Sequence, residues 1–297
     1  MKKVLNGISI LISVLISLVL FVLIILLGAD FAAKRFLKTT TFSEAVREME
    51  FQVIFLDEEN KETETGKRIY DYFDDMGITR DEVNKIIKND KFKKLFGDYF
   101  GSILLKKINA ETEIIYPTKE ELYDFVNTNY EFLKKVLKVK ETDKEGIRKI
   151  IYKEYDYVSL ELKTIADELT KEKVESKYLD ILLKPILTWA LIGGIVVCII
   201  LLMLLRRSLY KWLMWFYMPA MTAALTLGFL SLLANKIIVS FLTKNIREYG
   251  SLIEPFVGSL SKSLLLYAAV IFVLSIVCYI IHYLCKNKNT EEIQKEK

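Results

Sequence analysis

The chain has 297 residues, 52% of them hydrophobic and 27% charged, with 42 Lys/Arg against 38 Asp/Glu and a formal charge of +4. The apolar residues gather in four long runs, which excludes one large soluble domain. Between the first two runs the charges alternate in sign without a basic face or stripe, which excludes nucleic acid as a partner, and no cysteine lies there to build a disulfide scaffold.

Val4 to Ala29 is 26 residues without a charge. A helix of that length crosses a hydrocarbon core of about 30 Å at about 1.5 Å per residue. Lys2 and Lys3 ahead of it would also suit a cleaved signal peptide. The core of a signal peptide usually holds about 7–15 apolar residues, however. The nearest cleavage pattern, Leu27-Gly28-Ala29, puts a bulky Leu where a small residue is wanted, and no Cys follows to take a lipid. An uncleaved anchor is expected. Three further runs, Pro185 to Leu205, Trp212 to Asn235 and Ser263 to Cys285, are each long enough to span.

The expected fold class is therefore all-α: a polytopic membrane protein with four transmembrane helices and an all-helical soluble domain inserted between the first and second. Residues 1–33 form the signal-anchor helix and 34–184 an extracytoplasmic helical domain with a stalk. Residues 185–285 form a three-helix membrane region with an amphipathic outer loop at 236–262, and 286–297 a cytoplasmic tail. The richness in Lys, Ile, Glu and Asn points to a low-GC bacterium.

Short loops rich in Lys and Arg stay in the cytoplasm. The link from Arg206 to Lys211 has three basic residues and no acid, and Lys2, Lys3, Lys286 and Lys288 share its side. Both termini are thus expected inside a cell membrane and residues 34–184 outside, an orientation that labelling a cysteine at Ser102 would test. Trp189, Trp212, Trp215 and Tyr283 stand near the ends of the runs, where a ring with an apolar body and a polar tip is favoured.

In the inserted segment Phe42, Ala45, Val46, Met49, Val53 and Leu56 mark one helix face. Asp57 to Gly66 is a hydrophilic break. A second helix carries Ile69, Phe73 and Met76, and Gly77 is placed to end it. Thr79 with Glu82, Thr118 with Glu121, and Thr142 with Glu145 read as capping boxes. The helices they open carry Val83, Ile86 and Ile87; then Leu122, Phe125, Val126, Leu133, Val136 and Leu137; then Ile147, Ile150, Ile151, Val158, Leu162, Ile165 and Leu169. Another helix, with Phe92, Leu95, Phe96, Tyr99, Ile103 and Leu104, lies between the first two boxes. Thr112 to Tyr116 is the one strand candidate, and Thr170 to Lys173 the expected bend in the stalk. Gly97 and Gly101 predict close helix packing inside the domain, and Gly193-Gly194 a helix–helix contact in the second span. In the outer loop Ile237, Ile238, Phe241, Leu242 and Ile246 suggest a surface helix, followed by Gly-Ser-Leu at Gly250 and Gly258 around Glu254-Pro255.

No catalytic, cofactor-binding or metal-ligating residue is expected. The one histidine, His282, has no second His and no acid in the runs beside it. No HExxH or CxxC occurs, and Asp57-Glu58-Glu59 and Asp74-Asp75 lack calcium-loop spacing. The charge-free runs offer no ionisable path for ions or protons. The expectation is a cell-surface interaction or sensing module, not an enzyme, working through a protein partner of residues 34–184, with the lipid bilayer as its other partner, no cofactor, and homo-oligomerisation left open. One span, a large outer segment, then three spans with both ends inside also resembles, in topology alone, the ABC permeases of the cell-division and mechanotransmitting types. That resemblance implies a membrane subunit of a multi-protein transporter or cell-envelope complex. Only Met1-Lys2-Lys3 precedes the first span, and the inner link is short for contacting an ATPase.

Overall fold

The computed structural model describes residues 2–49, 67, 70–71, 73–75, 77–109, 111–131, 144–171, 184–206, 208–245 and 250–295. Among these, every regular element is helical: α1 Lys2–Phe36, α2 Thr39–Glu48, α3 Arg80–Ile87, α4 Asp90–Ile108, α5 Lys119–Thr128, α6 Lys144–Thr170, α7 Pro185–Arg206, α8 Leu209–Asn245 and α9 Gly250–Lys295. Four helical stretches, Gly7–Phe36, Pro185–Arg206, Lys211–Ala234 and Glu254–Asn287, are long and apolar enough to cross a membrane. The chain divides into two compact units. One comprises Met1–Phe36, Lys177–Lys236 and Leu260–Lys297; the other comprises Leu37–Ser176 and Ile237–Ser259.

The first unit packs inward on small and branched residues. Leu20 and Ile24 of α1, Cys198 and Leu202 of α7, and Ala220 and Ala223 of α8 form its buried core. Its outer surface is apolar: Leu11, Leu204, Leu232 and Val273 are all exposed. In water that pattern would be costly, whereas in hydrocarbon it is neutral. Gly28 lets α8 and α9 approach α1, since a Cβ there would lie 2.8 Å from both Leu227 Cδ1 and the Tyr267 ring. The Tyr267 hydroxyl donates to the Ile24 carbonyl at 3.2 Å. Of the Gly193-Gly194 pair, only Gly194 faces a helix neighbour, Leu23; Gly193 faces open space.

The first helix passes Asp30, where the charge-free run stops. Helix α1 runs on to Phe36, and the Asp30 side chain is only 2% exposed. The charge-free runs are as read, but the helices containing them bring Asp30, Lys34 and Arg206 into their ends.

In the second unit α2 crosses α4 at Gly97 and Gly101. A Cβ on Gly101 would meet Ser43 Cα and Oγ at 3.0 Å, and one on Gly97 would meet the Arg47 N and Ser43 O at 3.1 Å. The pair is a helix crossing inside the unit, and the Arg47–Asp98 ion pair stands beside it. Gly77, with φ 73, closes a Schellman end: its N–H donates to the Asp74 carbonyl at 2.8 Å and that of Ile78 to Phe73 at 3.0 Å. The expected helix beyond Met49, the break at 57–66, Leu133 to Leu137 and the Thr142 box lie outside the described residues, as do Ile69, Met76 and half of the expected bend.

Two boxes form. The Glu82 carboxylate accepts from the Thr79 N–H at 2.9 Å. The Glu121 carboxylate accepts from the Thr118 N–H at 3.1 Å, while Thr118 Oγ1 accepts from the Glu121 N–H at 3.2 Å. Thr118→Ala is expected to cost about 1 kcal/mol, read as faster amide exchange at the start of α5. Burial alone would raise the Glu121 carboxyl, but the Thr118 backbone N–H and the Lys94 ammonium outweigh it and hold the group below its ordinary value of 4.5. A depressed folded value means stability that is present above about pH 4.5 and lost as pH falls through the folded value. Acidification should therefore lower the protection factors of α5, with exchange referred to the intrinsic rate at each pH, and Glu121→Gln should flatten that dependence.

Thr112 to Tyr116 is extended but forms no strand. Its Ile115 N–H donates instead to Ser102 Oγ at 2.9 Å, and that hydroxyl donates to the Tyr99 carbonyl at 2.8 Å. A helix serine does what a partner strand would have done. Ser102 is fully buried, so an orientation label belongs elsewhere, at exposed Glu113.

Candidate interaction site

Helix α6 is where the second unit offers side chains without partners. Its inner face seats Leu162 and Ala166 against Tyr99 and Ile103 of α4. The Tyr99 hydroxyl donates to the Leu162 carbonyl, and burial foremost pushes that phenol up to about 12. Nearer its N-terminus α6 is tied to α5 by aromatic rings. Lys119 Nζ lies 4.9 Å from the centre of the Tyr155 ring and 5.6 Å from that of Tyr152. Arg148 stands over Tyr123 and Tyr152, and the Tyr155 hydroxyl donates to the Pro117 carbonyl at 3.0 Å.

The apolar stripe expected to be core is split. Leu162 packs inward, while Val158, Ile165 and Leu169 are exposed; Tyr157 and Leu160, at 63% and 60%, stand out on the far side of the helix from that row. Val158, Ile165 and Leu169 follow seven- and four-residue steps, so they lie in one row along the helix. This row adjoins the buried face and is flanked by charge, the arrangement of a helix face that another surface can cover.

A second concavity lies between α3 and the end of α5, a cleft of about 490 Å³ lined by Glu82, Lys85, Ile86, Asn127, Asn129 and Glu131 among others. Asn129 is satisfied, with its Nδ2 donating to the Phe125 carbonyl at 2.8 Å and its Oδ1 accepting from Asn89 at 3.3 Å. Asn127 Oδ1 is buried without a hydrogen-bond partner. Such an acceptor costs about 1–3 kcal/mol unless something donates to it.

Among the described residues no three His, Cys, Asp or Glu side chains gather as metal ligands. His282 stands 5.6 Å from the Tyr217 ring, and Tyr217 lies 5.5 Å from Tyr279, so the three rings form one aromatic cluster. Cys198, Cys278 and Cys285 are free thiols. Asp57, Glu58 and Glu59 are outside the described residues.

The first unit carries polar groups at both ends of the α1–α7 pair. At one end Arg206 Nε donates to Ser13 Oγ at 3.0 Å, and its guanidinium lies 4.9 Å from the Trp215 ring centre. At the other, Asp30, Lys34 and Thr188 form a closed hydrogen-bonded set. Ser13 and Asp30 are 17 residues apart, about 26 Å along a helix and close to the depth of a hydrocarbon core. Sequence reading missed both sets, because each joins α1 to residues of α7 more than 150 positions further on. Comparison of the chain with known protein families, with curated proteins and with solved structures finds no match.

Proposed function

We propose that this is a multi-pass membrane protein that acts as an interaction or sensing module, with the helical segment between the first and second spans outside the cell and both termini in the cytoplasm. The carrying observation is the exposed row Val158, Ile165 and Leu169. A protein partner covers this face. The basic link from Arg206 to Lys211 supports the orientation.

Photo-crosslinking from Ile165 and Leu169 in intact cells tests the reading. One discrete protein adduct is expected at both positions, lost in Val158→Asp while α6 keeps its amide protection. Absence of an adduct at both positions overturns the α6 face as the docking surface. Impermeant labelling of Glu113→Cys should proceed on intact cells; labelling only after lysis reverses the orientation. The order of one span, an inserted segment and three spans supports a second reading, a permease-like membrane subunit, which a stoichiometric ATPase among the adducts of the cytoplasmic link would favour.

A further inference from the structure

Lys34 leaves the last turn of α1, three residues before the first unit gives way to the inserted segment at Leu37. Its ammonium sits among four oxygens. Asp30 Oδ1 is at 3.0 Å and Oδ2 at 3.3 Å; the Lys184 carbonyl is at 3.0 Å and Thr188 Oγ1 at 2.5 Å. The Thr188 hydroxyl also donates to Asp30 Oδ2 at 2.6 Å. Two of these oxygens belong to α1. The other two belong to the stretch where the chain returns from the inserted segment and begins α7. One ammonium therefore ties the end of α1 to the start of α7.

The burial is uneven. Asp30 is 2% exposed at its side chain, Lys34 24%. Asp30 is therefore the fixed group, and Lys34 the one with a path to water. Asp30 Oδ1 has no hydrogen bond beyond its ion contact with Lys34. If Lys34 is withdrawn, a buried carboxylate keeps only the Thr188 hydroxyl, the arrangement in which removing one partner costs most. A surface ion pair at the same spacing would be nearly without consequence.

We propose that Asp30, Lys34, Thr188 and the Lys184 carbonyl form a latch between the first and second spans, with the Lys34 ammonium as its movable bolt. Any event in the inserted segment that pulls residues 36 and 184 apart must draw the bolt, so the latch sets two states of the α1–α7 end. That use of the latch rests on the sensing reading above; its existence does not.

Hydrogen exchange on the full chain in nanodiscs tests it. Lys34→Ala should speed amide exchange in the 31–36 and 185–190 segments by on the order of tenfold or more, since a buried charge is left unpaired. The effect should stay local to those segments. Adding Asp30→Asn should slow exchange again, because the second substitution removes the stranded charge. Excess ethylammonium, which fits the space left by the lysine side chain, should restore protection in Lys34→Ala and do nothing to wild type. Thr188→Val, which keeps both charges, should give a smaller loss. Unchanged exchange in Lys34→Ala, no relief from Asp30→Asn, or no rescue by ethylammonium would overturn the latch. These readouts lie within one chain and need no partner, so a failed photo-crosslink leaves them standing, and their failure leaves the partner reading standing.

Discussion

Gly101→Val is expected to destabilise the second unit by about 3 kcal/mol, enough to remove most of the amide protection of α2 and α4. Two effects oppose one another. Replacing glycine inside a helix normally gains about 1 kcal/mol in propensity for Ala and less for a β-branched residue. Against this, a Cβ at Gly101 meets Ser43 Cα at 3.0 Å, and Ser43 Oγ at the same distance. The first of these is backbone and cannot turn aside. Valine adds two further carbons to a contact already too tight, so α2 must lift off α4. Ser43 and Val46 would then lose their burial, and the Arg47–Asp98 pair would be pulled apart. Gly193→Ala supplies the control. Nothing stands within 4 Å of its Cβ, so it should be neutral or slightly stabilising. The readout is hydrogen exchange of the full chain, peptide by peptide. If Gly101→Val left α2 and α4 protected, the close crossing would be wrong, and the two glycines would have to be read as an exposed face.

This crossing was legible in the sequence as a spacing, and so were the four apolar runs, the Thr79 and Thr118 boxes and the stop at Gly77. Each depends on residues within a few positions of one another, where the physics is local. What escaped reading depends on distant partners. The first apolar run stops at Asp30 because hydropathy counts side-chain type alone. The helix continues because Lys34 one turn on and Thr188 on another helix satisfy that carboxylate. The α6 stripe shows the same limit. Helical periodicity marks a face about 100° wide but not which edge of it packs. Ala166 drew no attention as an apolar residue, yet it is fully buried with Tyr99, while the larger Ile165 beside it is exposed. The cleft was illegible for a third reason: Asn127, Asn129 and Glu131 follow the end of α5 without a spacing that any chemistry requires.

Ser17→Ala is expected to destabilise the first unit by about 2 kcal/mol, and to do so only while residue 219 is proline. Pro219 lies inside α8 and has no N–H to give the carbonyl four residues back. That carbonyl belongs to Trp215. In water it would be hydrated, but in a membrane an orphaned carbonyl must find a donor in the protein. Ser17 of α1 supplies it, with its hydroxyl 2.9 Å from the Trp215 oxygen. The Trp215 ring meanwhile lies under the Arg206 guanidinium, which also reaches Ser13. Trp215 is thus held by α1 through its backbone and by α7 through its ring, so the break in the α8 ladder becomes the joint of three helices. In Pro219→Ala the new N–H can close the helix bond to Trp215, and the serine is no longer needed. A double-mutant cycle on detergent-solubilised full chain, followed by denaturant titration, separates the cases. The cost of Ser17→Ala should fall close to zero in the Pro219→Ala background. An equal cost in both backgrounds would mean that Ser17 contributes through packing alone, and that the Trp215 carbonyl is satisfied some other way.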